Sequence, residues 1–240
     1  MPEQNKVTAK HDKGKYIDAH VHVWTNDFQS YPLAAGFSKE GIDPPRFTPE
    51  ELLALSRPLG VGRIVLIQMN FYGFDNSYML DCMRQYPGVF SGIAQVDEHG
   101  AGPACEMRRL KALGVRGVRI RPARRGESNW LDGNGMHAMW SAAAEEHVAM
   151  CPLIDVDDLA AVDRMCGKFP ETTVVIDHFA RIGGDGKFRD SDIERLCSLV
   201  RHKRVYVKLP AFYYLGAKQP PYLDVLPMIR RLLDKFGPER

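Results

Sequence analysis

Short aliphatic and β-branched runs alternate along the chain with longer segments of mixed apolar and charged character. The short runs predict strands over 16–23, 63–69, 91–96, 117–122, 148–154, 172–178 and 205–209. The longer segments predict helices near 48–58, 74–86, 103–113, 134–146, 156–168, 190–202 and 222–236. Several boundaries carry their own chemistry. Thr48-Pro49-Glu50-Glu51 reads as an N-cap, a proline at the first helical position and an acidic first turn. Gly114 ends one helix and Pro170 stops another. Strand and helix repeated in this way imply parallel strands with right-handed crossovers.

An open nucleotide-binding sheet would carry a glycine-rich loop after an early strand. The first strand runs instead into Trp24-Thr25-Asn26-Asp27 and the second into Asn70-Phe71-Tyr72-Gly73. The pattern therefore favours a (β/α) barrel.

Parallel strands covered on both faces should be apolar throughout. Here polar residues interrupt them with a period of two. Asp18, His20, His22 and Trp24 share one face of the first strand, and Ile17, Ala19, Val21 and Val23 the other. Arg119 and Arg121 oppose Val118 and Ile120, Tyr206 and Lys208 oppose Val205, Val207 and Leu209, and His178 ends an apolar run. A barrel accounts for this: the apolar face packs on outer helices, and the polar face looks inward to a site at the C-terminal strand ends. His20, His22, Arg119, Arg121, His178 and Lys208 are thus candidates for one mouth. Structural ion pairing competes with substrate binding as the role of Arg119, Arg121 and Lys208. Asp177 reads as an orienting group. Arg124 and Arg125 read as solvated, and Trp130 and Trp140 as packing. His11, His99, His137, His147 and His202 fall in the tail, loops or helices and read as ordinary polar residues.

Composition narrows the class. The 240 residues are 45% hydrophobic and 26% charged, with a net charge of +2. That balance gives no argument for a nucleic-acid or membrane-surface binder, and the chain has no apolar run of membrane-spanning length. Residues 1–15 form a polar, lysine-rich tail without an apolar signal region, so one domain over 16–240 is expected. Cys82, Cys105, Cys151, Cys166 and Cys197 are scattered and odd in number, which fits reduced thiols and a cytoplasmic location.

The segment Ile17-Asp18-Ala19-His20-Val21-His22-Val23-Trp24 resembles the first-strand HxH signature of the amidohydrolase superfamily, and Val175-Ile176-Asp177-His178-Phe179-Ala180-Arg181 its sixth-strand motif. The resemblance is to the amidohydrolase-related (amidohydrolase 2) group of TIM-barrel hydrolases. That group includes lactonases acting on sugar lactones and on pyrone dicarboxylate, and also decarboxylases. The resemblance implies His20, His22 and His178 as catalytic residues or as ligands of one divalent metal such as zinc. The fifth strand lacks the histidine of metal-binding members, and the fourth offers arginines in place of the lysine that bridges two metals, so both one metal and none stay open. Arg119, Arg121, Arg181 and Lys208 are then the expected contacts of a small anionic, carboxylate-bearing substrate.

In the family, an eighth-strand aspartate activates water, and the sequence ends at Arg240 before such a strand. Seven strand–helix units are therefore expected, with the eighth strand missing and the domain incomplete at its C-terminus. Asp18 lies too deep to substitute for the missing aspartate. An unclosed barrel would expose strand edges that invite homo-oligomers. The reading is a lactonase-like hydrolase; a metal-dependent decarboxylase and an inactive, truncated ligand- or partner-binding remnant are the alternatives.

Overall fold

The computed structural model describes residues 16–124, 126, 129–209 and 211–240. The expected tail 1–15, with His11, and the expected solvated Arg125 lie outside the described residues. Among the described residues, seven strands alternate with seven α-helices, in the order the sequence predicts. The chain divides into two compact units: one runs to Gly73 and takes in Ser77–Ser91, and the other comprises Phe74–Asn76 and Gly92–Arg240.

The first unit contains β1 (Tyr16–Val21), α1 (Pro49–Ser56), β2 (Val61–Ile67) and α2 (Ser77–Gln85). β1 and β2 pair in parallel, with Asp18 opposite Ile64 and Val21 opposite Leu66. α1 starts on a complete capping box: the Glu51 amide donates to the Thr48 hydroxyl, and the Thr48 amide donates to the Glu51 carboxylate at 2.8 Å. Past β1 the chain is held by an antiparallel bridge between Trp24 and Phe47. Around it pack the rings of Phe71, Tyr72, Tyr78 and Tyr31.

The second unit takes up the chain within β3 (Phe90–Ala94) and continues through α3 (Pro103–Ala112), β4 (Val115–Ile120), α4 (Asn134–Glu146), β5 (Ala149–Pro152), α5 (Leu159–Lys168), β6 (Val174–Ile176), α6 (Asp190–Cys197), β7 (Val205–Val207) and α7 (Leu226–Phe236). Each strand from β3 to β7 pairs in parallel with the next. Val118, Met150, Val174 and Ile176 are fully buried, as are Leu110, Trp140, Val162 and Leu196 on the helices. Trp140 is a packing residue, as expected. Gly114 closes α3 at φ +98°, in the left-handed region where a side chain would be strained. On β7, the Val207 amide donates to the Arg240 carbonyl at 2.9 Å.

Two expectations need correction. The predicted strands overrun the observed ones at their C-terminal ends: β1 stops at Val21 and not at 23, and β6 at Ile176 and not at 178. His22 and His178 therefore leave the ladder and sit in the connections just beyond it. The apolar face of β1 is only partly packed away, for Val23 is buried and Val21 half-buried while Ile17 is 51% exposed and Ala19 is exposed. Alternation identified the two faces of β1 without showing whether either was covered. Cys82, Cys151, Cys166 and Cys197 are buried thiols as expected, and Cys105 is exposed.

Candidate active site

The residues singled out by the sequence form two clusters, one in each unit. In the first unit, half-buried His20 and His22 lie at the end of β1 with rings 5.2 Å apart and nearly perpendicular. The Asp18 carboxylate accepts the His20 backbone N–H at 3.1 Å, so Asp18 fixes the backbone at this point. His22 Nδ1 lies 2.8 Å from the carbonyl of Ile67, the last residue of β2. A carbonyl only accepts, so Nδ1 carries the proton and the lone pair falls on Nε2. This is the arrangement that orients an imidazole as a base or a metal ligand.

In the second unit Asp177 follows β6 directly and is 1% exposed. Its Oδ2 accepts from Arg119 Nη2 at 2.8 Å and Nε at 3.1 Å, and its Oδ1 lies 3.2 Å from Lys208 Nζ. β4, β6 and the segment after β7 are thus tied together by one carboxylate between two cations. Arg119 is itself buried, so its guanidinium depends on that carboxylate. Cys151, opposite Arg119 across the β4–β5 ladder, is fully enclosed. Burial pushes its thiol up to about 12, and the Asp177 charge adds to the shift, so it stays protonated.

His178 begins an unusual turn. His178, Phe179, Ala180 and Arg181 all have φ between +51° and +56°. Left-handed backbone costs a residue with a side chain about 1–2 kcal/mol, and four in succession persist only where the surroundings dictate them. The surroundings here are packing and backbone hydrogen bonds: Phe179 and Ala180 are fully buried, and the Phe179 amide donates to the Lys208 carbonyl at 3.2 Å. The turn presents His178, half-buried, beside Asp177, with ligand-capable atoms of the two within 4.8 Å of each other. Arg181, at the end of the turn, pairs with Asp155 at 3.5 Å.

Arg121 is different. It lies just past β4, is exposed, and lines a separate cavity with Glu98 and Trp130. The second unit thus gathers Arg119, Lys208 and His178 around Asp177, while Arg121 and Arg181 have other neighbours. Asp177 has the orienting role expected of it, since it holds Arg119 and Lys208; Asp155, the partner of Arg181, carried no signal in the sequence. Sequence reasoning read Trp130 as packing, whereas Trp130 lines a cavity.

The Amidohydrolase family model (amidohydrolase 2) matches residues 17–240. A 4-sulfomuconolactone hydrolase from Rhizobium radiobacter is 29% identical over 224 residues, covering 93% of this chain and 72% of that protein. An L-fucono-1,5-lactonase from Burkholderia ambifaria is 25% identical over 233 residues, covering 93% of this chain and 77% of that protein. Among solved structures, an amidohydrolase from Burkholderia multivorans with bound zinc superimposes with a TM-score of 0.74 at 18% identity, over 93% of this chain and 81% of that one. That likeness gives the fold: this chain has the (β/α) TIM-barrel type of the amidohydrolases, with seven strand–helix units among the described residues.

Proposed function

Because this chain belongs to the amidohydrolase 2 family, we propose that it hydrolyses a lactone, or a related carbonyl bond, of a small carboxylate-bearing substrate. The observation that carries the reading is the histidine pair at the end of β1, with His22 fixed in one tautomer by the Ile67 carbonyl. The lactone hydrolases to which the chain is similar support the choice of bond.

His20 donates to the carbonyl oxygen of the substrate and stabilises the charge that builds on it during attack, whereas His22, whose lone pair lies on Nε2, serves as an acceptor or cation ligand. His178 takes the proton from the attacking water and returns one to the leaving alkoxide. Asp18 is a poor base, since it already accepts the His20 backbone N–H. Arg119 and Lys208, anchored by Asp177, supply positive charge for the substrate carboxylate, with Arg121 and Arg181 as further cationic contacts. The imidazole pair of His20 and His22 fits one divalent ion such as zinc. When bound, such an ion would polarise the carbonyl as a Lewis acid.

The test is a panel of lactones assayed by proton release, together with metal content of the same preparation. Ring opening that falls about a hundredfold in His22→Ala is the expected result. No ring opening with or without added zinc would overturn the reading.

A further inference from the structure

Among the described residues, eight that carry a side chain have φ in the left-handed region, and seven of them fall in two segments of the second unit. His178, Phe179, Ala180 and Arg181 form the turn after β6, and Ala211, Lys218 and Tyr222 lie between β7 and α7. Such backbone persists only where its surroundings hold it, and it gathers at active sites and switch regions. Here each segment is held by the other.

Contacts cross between the two at several points. The Phe179 amide donates to the Lys208 carbonyl at 3.2 Å, and the Gly216 amide to the Gly183 carbonyl at 2.8 Å. The Phe188 ring fills the space that a side chain on Gly183 or on Gly216 would need, and Tyr214 lies against Gly184. The Phe212 ring stands 6.2 Å from that of Phe179 and 6.3 Å from that of Tyr222, tilted by 39° to each. Phe179 is wholly buried, Phe212 is half-buried, and Tyr213 and Tyr214 beside it are exposed. The joint therefore lies near the surface, where it can open locally while the β4–β5 ladder stays formed.

The joint also bears on the site. His178 and Arg181 begin and end the first segment. Lys208 offers its carbonyl to that segment, and its ammonium lies 3.2 Å from Asp177, the residue before His178. We propose that the two segments form one strained latch, held shut by Phe212 against Phe179, which brings His178 and Lys208 into position together. When the latch opens, the turn relaxes toward right-handed backbone, His178 is re-aimed and the bond to the Lys208 carbonyl is lost. Phe212 is thus a positioning residue. Its effect on turnover rests on the proposed hydrolysis; the latch itself does not.

Amide hydrogen exchange of the full chain, read residue by residue by NMR, tests this. In Phe212→Ala the Phe179 and Gly216 amides, which donate across the joint, should exchange about tenfold faster and by the same factor. The Met150 amide, bonded to the Thr173 carbonyl, should keep its rate. The milder Phe212→Leu should raise the same two rates by less. Ala211→Gly relieves strain on the far side of the joint, since glycine takes φ +75° without steric cost. It should slow the Phe179 amide about threefold, and the double variant should fall between the two single ones. Packing alone would speed all three amides alike in Phe212→Ala and leave Phe179 unmoved in Ala211→Gly. Either result, or unequal changes at Phe179 and Gly216, would overturn the proposal. If the hydrolysis holds, Phe212→Ala should lower kcat and raise KM together, and Ala211→Gly should restore part of both. Coupled exchange without lactone turnover would overturn only the hydrolytic reading. Lactone turnover at unchanged kcat and KM in Phe212→Ala would overturn the positioning role.

Discussion

The end of β1 and the segment after β6 both place ionisable residues where strands meet their loops, yet the physics at the two is opposite. His20, on β1, and His22, just past it, are half-buried, with Ile17 and Ala19 exposed on the same strand. Their polarity costs little there, and their order comes from backbone partners, Asp18 to the His20 amide and the Ile67 carbonyl to His22. Asp177 and Arg119 have lost nearly all contact with water and hold each other. Replacing a residue of the first cluster leaves no buried charge unpaired, whereas replacing Asp177 strands a buried guanidinium, so the second cluster is the one tied to stability.

The sharpest break in that comparison is Asp177→Ala. It leaves the buried Arg119 guanidinium without its carboxylate and should lower stability by about 3–5 kcal/mol in urea denaturation. A loss under about 1 kcal/mol would show that water reaches this cluster. His20→Ala is the counterpart in β1. Stability should move by no more than about 1 kcal/mol, while lactone turnover falls about a hundredfold; a large stability loss with turnover retained would reverse the contrast.

Two smaller changes test the frame around each cluster. Thr48→Ala removes the α1 capping box and should cost about 1 kcal/mol, read as a lower urea midpoint. His147 caps α4 at φ +53° while exposed, so His147→Gly should raise stability by up to about 1 kcal/mol. The smallest effect belongs to the surface. Arg108 pairs with Glu145 and Glu146 at the surface, and Arg108→Ala should leave the urea midpoint almost unmoved, set against the Asp177 loss in the same titration.

Much of this was legible in the residues. All seven strands and seven helices stand where the apolar pattern puts them, and α4 matches its predicted limits of 134 and 146. Caps and stops that act locally, such as Thr48 and Gly114, were also readable. The strand ends were not, because His22 and His178 leave the ladder under the control of their partners, not of their own propensities.

The sequence by itself determined the element order, the family and the histidine motif, because each is written in residues close together along the chain. The tertiary structure decided what each polar residue does. Arg119 and Arg121 are two positions apart and chemically identical. One is buried against Asp177, fifty-eight residues away, and the other lines a cavity built from two loops. Their roles follow from how completely each is desolvated and which distant groups meet it there, and spacing along the chain carries neither quantity.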